Sequence, residues 1–561
     1  MTLRVALAQV NPVVGDLAGN AAKVLAMWQQ AAEHRADLIV FTELVLTGYP
    51  PEDLLLKPEF IAAGDRVLAE LARSGPARTV AIVGCVGTGD APPAEERWDV
   101  TVAARADLRN RAAVLRDGRV DAVYDKWRLP NYGVFDEGRY FTPDADPLVI
   151  DVGAARVGIT VCEDLWTDEG PLAASAADGA QVIVNLNASP YHRGKRAERE
   201  RWVTHHATRL GVWVVYVNQV GGQDELVFDG DSMLCGPTGT IVARGAQFAD
   251  DLVIVDLAVG DLEDGLRGAV PDRTDVPRLD PVAEVWAALV LGTRDYCHKN
   301  GFPSAVIGLS GGIDSAVTAA IAVDALGAEN VLGVAMPSPH SSDHSLDDAE
   351  QLATTLGIGF EVVPIEPAMK AFDEMVDRII ASGAPDVARE NLQSRARGVV
   401  LMAISNALGH IVLTTGNKSE MAVGYATLYG DMAGGFAVLK DCPKTLVYEL
   451  ARHRNRVAPV IPTSSIDKPP SAELRPDQLD TDSLPPYELL DPILEALVED
   501  DRSVADLVAA GFDDATVRRI ARMVDRAEYK RRQAPPGVKI TDRAFGKDRR
   551  VPITNAWRGD A

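Results

Sequence analysis

The sequence predicts a two-part α/β protein: a sandwich of sheets flanked by helices, followed by a doubly wound parallel sheet. Three observations carry this. Short apolar runs alternate with helical patterns through the first half, two stretches of that half read as strands joined by tight turns, and a fresh strand–helix series begins after a polar break near residue 281. At 561 residues the chain exceeds a single core and suits roughly two to four domains.

Residues 5–10, 38–42, 80–86, 156–162, 182–186 and 212–218 are the expected strands of the first half. Residues 99–115 and 233–257 depart from a pure doubly wound pattern, reading as consecutive strands with turns at Arg116-Asp117-Gly118 and Gly236-Pro237-Thr238-Gly239. A first domain is expected over 1–262 and a second over 281–561. The linker between them, 263–280, is rich in Asp, Gly, Pro and Arg and has no apolar period. Strand 305–308, helix 314–326 closed by Gly327, strand 331–336, helix 345–356 closed by Gly357 and strand 360–364 then make successive parallel crossovers. Residues 461–486, crowded with Pro, Ser and Asp, read either as a plain surface loop or as a lid.

A formal net charge of −25 repels polyanions, which argues against sequence-independent nucleic-acid binding and against adhesion to an anionic membrane. The five cysteines, at 85, 162, 235, 297 and 442, form no Cys-x-x-Cys pair, as expected of a reducing compartment without structural zinc. The N-terminus alternates like a strand and lacks a signal-cleavage pattern, and no apolar run approaches a membrane span. A cytoplasmic protein is expected.

Gly308, Leu309, Ser310, Gly311, Gly312, Ile313, Asp314 and Ser315 stand between an apolar strand and an amphipathic helix. Glycines let the backbone approach an anion, the serines offer hydroxyls, and the free N–H groups of the helix start point at the same place. Asp314 fits there if it meets a metal ion that travels with phosphates. The pattern Ser-Gly-Gly-x-Asp-Ser resembles the pyrophosphate loop of the ATP pyrophosphatase family, which implies transfer of AMP to a carboxylate. The same letters satisfy Gly-x-Ser-x-Gly, a serine-hydrolase elbow, which would need one of His340, His344, His410 or His453 as its base.

Glu43 closes an apolar strand, Lys126 follows Tyr124-Asp125, and Cys162 ends the strand before Glu163-Asp164. Singly, a salt-bridged or capping Glu and a buried structural thiol are the ordinary readings. Together they supply thioester chemistry: an ammonium lowers a thiol's pKa and steadies an oxyanion, while a carboxylate shuttles the proton. Their order and placement resemble the Glu-Lys-Cys triad of the nitrilase and amidase superfamily, which implies an αββα sandwich with Cys162 as nucleophile, Glu43 as base and Lys126 supporting tetrahedral intermediates. In its glutamine-hydrolysing branch Tyr132, Ser189 and Lys195 would bind glutamine. Glu163 and Asp164 are expected to point away from the sulfur or to grip the substrate's amino group.

Ammonia made in one half and a carboxylate adenylated in the other would yield an amide. The segments Thr414 to Glu420, Thr427 to Phe436, Glu390 to Arg397, Pro485 to Glu488 and Tyr529 to Arg532 resemble the glutamine-dependent NAD synthetase family across the whole chain. That resemblance implies that Gly308 to Ser315 and Thr415 bind ATP, that Asn391, Glu420 and Lys530 contact deamido-NAD, and that Asp314 and Glu420 hold Mg2+. It also implies a homodimer or larger homo-oligomer formed through the second domain. The substrates are then glutamine, ATP and deamido-NAD, and the products NAD, AMP, pyrophosphate and glutamate. For polyphosphate, Lys418, Lys440, Lys444, Lys468 and residues 530–532 are the candidate cations. An amidotransferase acting on another acceptor and a binding protein without chemistry are the competing readings.

Overall fold

A computed structural model describes residues 2–89, 107–259, 276–377, 379, 387–475 and 478–557. The chain forms two units, Met1–Gln223 with Val227–Leu279, and Asp224–Leu226 with Asp280–Ala561. The expected linker lies mostly outside the described residues, as does the 99–106 part of the first expected strand pair.

The first unit is built on two six-stranded sheets. One contains β1 (Thr2–Gln9), β2 (Leu38–Val40), β3 (Val80–Thr88), β4 (Leu108–Arg116), β5 (Arg119–Asp125) and β14 (Asp251–Ala258), in the order β14-β1-β2-β3-β4-β5. The other contains β6 (Leu148–Val152), β7 (Ala155–Val161), β8 (Val182–Asn187), β9 (Trp213–Asn218), β12 (Met233–Cys235) and β13 (Ile241–Arg244), in the order β13-β12-β9-β8-β7-β6. A small ribbon pairs β10 (Val220–Gln223) with β11 (Leu226–Asp229). The central strands of each sheet, β1-β2-β3 and β7-β8-β9, run parallel, with antiparallel strands outside them.

Side-chain alternation explains the layering. On β1, Val5 and Leu7 join Val157, Ile159 and Val184 of the opposite sheet in one core. Ala6 and Ala8 face outward to Trp28 and Leu71, on α1 (Leu17–Glu33) and α2 (Pro58–Ser74). Ile183 and Val214 of the second sheet likewise meet Leu172 and Val203, on α3 (Pro171–Ala177) and α4 (Lys195–Leu210). Period-two strands with both faces covered by apolar partners give the expected αββα sandwich.

In the second unit, β15 (Ala305–Gly308), β16 (Val331–Ala335), β17 (Gly359–Val362), β18 (Ile411–Thr414) and β19 (Phe436–Ala437) form one parallel sheet in the order β17-β16-β15-β18-β19. The sheet is wound outward in both directions from β15, so the loop after β15 stands at the point where the strand order reverses, which is where open α/β sheets bind ligands. Asp280 caps α5 (Pro281–Lys299), whose first residue is a proline. Gly327 and Gly357, at φ +86° and +72°, end α6 (Ile313–Leu326) and α7 (Asp343–Leu356) as expected. A helical cluster around Leu490, Ile493, Val517 and Ile520 completes the unit. Among the described residues, no helix is long and apolar enough to cross a membrane.

Candidate functional site

β2 ends at Val40, so Glu43 sits in the following turn and not on the strand itself. That turn lies flat against the neighbouring strand because residue 84 is a glycine: a Cβ there would meet the Thr42 carbonyl oxygen at 2.3 Å and the Leu44 nitrogen at 2.4 Å. Lys126 follows β5, and its Nζ donates to Glu43 Oε1 at 2.7 Å and to both oxygens of Glu137 at 2.9 and 2.8 Å. Asn110 Nδ2 and the Ala188 N–H donate to the two Glu43 oxygens at 2.7 and 3.0 Å, and Tyr49 Oη donates to Glu137 at 2.9 Å. Each of these charges is buried.

Glu137 is the residue sequence reasoning missed. It lies eleven positions past Lys126 in Phe135-Asp136-Glu137-Gly138, and only the fold brings it back to the ammonium. Burial works against the Lys126 charge, but Glu137 and Glu43 outweigh it and hold its pKa well above the ordinary lysine value. Glu137 itself is pushed up to about 7 by burial, against the pull of Lys126.

Cys162 does not end the strand as expected; it opens the tight turn Cys162–Leu165 after β7, at φ +44°. A non-glycine residue in that region costs on the order of 1–3 kcal/mol. Its thiol feels Glu43, Lys126 and Glu137 together. The sequence suggests a thiol whose pKa the ammonium lowers. The structure reverses this: burial and Glu43 push the thiol well above its ordinary range, and Lys126 pulls the other way without prevailing. Burial is the largest cause, and the Lys126 ammonium, shared between two carboxylates, does not offset it. The resting sulfur is protonated.

Of the residues expected to read glutamine, Tyr132 donates through its hydroxyl to both Glu163 oxygens at 3.0 Å. Lys195, the first residue of α4, pairs with Glu198 at 3.0 Å and lies 4.0 Å from the Trp166 ring centroid. Ser189 follows β8 and is buried, its N–H donating to Asn218 Oδ1 at 2.9 Å and its carbonyl accepting from Arg199 at 2.7 Å. Glu163 thus turns to Tyr132, whereas Asp164 is buried and accepts from Tyr124.

In the second unit Gly311 adopts φ +75°, and a Cβ there would lie 2.3 Å from the Ser345 carbonyl oxygen. Gly312 is the N-cap of α6, and Ser315 Oγ donates back to its carbonyl at 2.9 Å. Ser310 Oγ is engaged by Ser315 at 3.2 Å and by the Gly312 N–H at 3.2 Å. His410 is instead held by Ser304 at 2.6 Å. This arrangement suits an anion cradle and not a serine nucleophile.

A cavity of about 490 Å³ opens over this loop, and Asp314, Asn391, Thr415, Glu420 and Lys530 all line it. Lys444 bonds Asp314 and lies 3.5 Å from Glu420, so one ammonium stands between the two expected metal ligands. Asn417 donates to Asp314 at 3.0 Å. Burial takes the Glu420 carboxyl up to about 8, with Lys444 opposing and Asp314 adding to the rise. Lys530 Nζ donates to the carbonyls of Gly424 and Ala426, both at 2.7 Å.

Only some of the expected cations are available to a ligand. Lys444, Lys468 and Lys530 line the cavity. Lys418 is buried against Asp441 at 2.9 Å and Glu499 at 2.7 Å, Lys440 pairs with Glu225 at 2.9 Å, and Arg531 and Arg532 both pair with Glu528. Residues 468–474 border the cavity: Lys468 pairs with Glu473 at 3.0 Å, and Gln393 donates to the Leu474 carbonyl at 2.9 Å.

The carbon-nitrogen hydrolase family profile matches residues 4–265, and the NAD synthase profile matches residues 285–534. A glutamine-dependent NAD(+) synthetase of Synechocystis sp. is 46% identical over 565 residues, 99% of each chain. Its counterpart in Thermotoga maritima is 44% identical over 588 residues, again 99% of each. The solved glutamine-dependent NAD+ synthetase of Acinetobacter baumannii, in complex with ADP, superposes with a TM-score of 0.77 at 41% identity, covering 99% of this chain and 98% of that one. With both profiles in tandem and relatives this similar from end to end, the chain belongs to the glutamine-dependent NAD(+) synthetase family.

Proposed function

We propose that this chain converts deamido-NAD to NAD, with ATP activating the nicotinate carboxylate and glutamine supplying the nitrogen. The observation that carries the reading is the pairing, in one chain, of a buried Glu43–Lys126–Glu137 cluster at a thiol with an ATP-type loop beneath a large cavity.

In the first unit the protonated Cys162 needs a base at the moment of attack, and Glu43 is that base. Sulfur adds to the amide carbon of glutamine as its proton passes to Glu43, and Lys126 offers positive charge to the resulting oxyanion. Glu43 returns the proton to the leaving nitrogen, which departs as ammonia and leaves a thioester. Water, deprotonated by Glu43, then releases glutamate and restores the thiol. Tyr132, Ser189 and Lys195 hold the glutamine, Lys195 suiting its carboxylate.

In the second unit Gly308 to Ser315 and Thr415 take the ATP phosphates, and Asn391, Glu420 and Lys530 take deamido-NAD. The nicotinate carboxylate attacks the α-phosphorus, pyrophosphate leaves, and ammonia displaces AMP from the mixed anhydride. Asp314 and Glu420 fit Mg2+: they are hard oxygen donors already aligned to share one cation, the Lys444 ammonium. Bound there, Mg2+ would offset polyphosphate charge. The helix Val387–Leu408 exposes Val399, Met402 and Leu408, which supports pairing of two copies through the second unit. We place the enzyme in the cytoplasm on its charge and on cysteines that form no disulfide among the described residues.

The test is product analysis. Protein incubated with ATP, Mg2+, glutamine and deamido-NAD should give NAD, AMP and pyrophosphate; ADP and phosphate would contradict adenylation.

A further inference from the structure

Asp164 is fully buried, two residues beyond the nucleophile, and the mechanism above gives it no task. Its three hydrogen bonds run to two different sheets. Oδ2 accepts from the Val161 N–H at 2.9 Å, at the end of β7 and immediately before Cys162. The same oxygen accepts from Tyr124 Oη at 2.7 Å, and Oδ1 accepts from the Arg128 N–H at 2.8 Å. Tyr124 stands two residues before Lys126 on β5, and Arg128 two residues after it. One carboxylate therefore brackets the lysine segment of the first sheet and ties it to the nucleophile turn of the second.

We infer that Asp164 is a positioning residue, holding the Lys126 segment in register with the Cys162 turn so that sulfur, ammonium and the Glu43 base meet the amide together. Two features of the site require such a part. Cys162 is held at φ +44°, a backbone conformation that relaxes unless its neighbours over-determine it, and the Val161 N–H bond fixes the residue on its N-terminal side. A carboxylate buried on hydrogen-bond donors with no guanidinium or ammonium bonded to it among the described residues is costly where an apolar side chain would pack, and here its acceptors satisfy two backbone N–H groups that no neutral apolar residue could. Burial pushes Asp164 up to about 6, against the bonds from Val161, Tyr124 and Arg128; Tyr124 and Lys126 are the titratable groups facing it. It is thus ionised at neutral pH, and protonation would turn one of its acceptors into a donor.

The inference rests on Cys162 as nucleophile. That reading fails if Cys162→Ala keeps glutamine use, whereas the positioning role fails on a different variant. In the full chain, Asp164→Asn places an NH2 against one of three donors. It should lower kcat with glutamine about 100-fold, the scale of an ångström-sized misplacement, with KM within about 3-fold. Alkylation of Cys162 by iodoacetamide should slow in parallel, and synthesis from added ammonium should be unchanged. Unaltered kcat, a rise in KM alone, or an equal fall in the ammonium-driven rate would each overturn it. Tyr124→Phe keeps the packing and both backbone bonds, and carries the test if the asparagine variant does not fold. Its glutamine-dependent rate at pH 8 should stay within about 3-fold of the parent, while the acid limb of the rate profile moves to higher pH as Asp164 loses a donor. An acid limb that does not move overturns the proposal.

Discussion

Around Cys162 the charges are paired inside the site, with Lys126 shared between Glu43 and Glu137 and all three buried, whereas the cavity above the 308–315 loop keeps its cations on partners that a substrate can replace. Lys444 rests on Asp314, Lys468 on Glu473, and Lys530 on two backbone carbonyls. The difference follows from the substrates. Glutamine brings no net charge to the scissile amide, so the chain must supply and orient every charge its transition state needs. ATP and a dinucleotide bring several negative charges, for which the cavity's cations can exchange these internal partners. One site is thus preorganised and the other exchanges its charges.

The sharpest way to break this contrast is Lys126→Met. It leaves Glu43 and Glu137 as facing buried carboxylates, and removing one partner of a buried pair costs about 3–5 kcal/mol. The first unit's urea-unfolding transition should fall by that amount and glutamine use should vanish. A wild-type transition would show that the cluster is not closed off from solvent.

Lys444→Met should behave differently. It should raise the KM for ATP by about 10-fold or more, the worth of one charge-assisted hydrogen bond of about 1.5–3 kcal/mol. Glutamine hydrolysis in the same preparation should be untouched. An unchanged KM would mean that Lys444 serves only Asp314 and Glu420.

Glu137 supplies a pH test. Held at about 7 in the fold, above the ordinary 4.5 of a glutamate, it takes up its proton in the folded state first. Between those values the folded chain binds more protons than the unfolded one, so this group's contribution to stability rises as pH falls through the window and its full penalty stands above pH 7. Activity runs the other way, because protonation withdraws a carboxylate from Lys126: the glutamine-dependent rate should begin to drop below about pH 7, and Glu137→Gln should move that onset down to the Asp164 limb at about 6. An onset that stays at pH 7 in the variant would assign it to another group.

The smallest effect is expected from Trp166→Leu, which removes the ring under Lys195. A cation–π contact worth about 0.5–2 kcal/mol predicts a KM for glutamine raised roughly 2- to 30-fold with kcat kept. A change in kcat alone would place Trp166 elsewhere in the reaction.

The layers of both units were legible because period-two strands and glycine-stopped helices are local patterns; residues 156–162 and 314–326 were anticipated to within about a residue. Glu43, Lys126, Cys162 and the 308–315 loop stand in recognisable settings in the sequence, and the structure bonds Lys126 to Glu43 and opens a cavity over the loop. What was not legible is which partner each charge takes. Lys418 looks like a phosphate ligand in sequence and is buried against Asp441 and Glu499; Glu137, which no motif singles out, binds Lys126. The direction of the Cys162 shift is set first by burial and then by Glu43, and burial is a tertiary fact. Residues 461–486 read as a plain surface loop or a lid, and neither reading anticipates that Glu473 within them accepts from Ser345 at 2.6 Å. Pairings across many residues are tertiary facts that neither spacing nor composition encodes.

The most direct measurement compares NAD formation by Cys162→Ala with glutamine and with ammonium as the nitrogen source. The glutamine-dependent rate should fall by about 1,000-fold or more, as when a nucleophile is removed, with the ammonium-dependent rate intact. Equal loss of both rates in a folded variant, or retained glutamine use, would contradict this expectation.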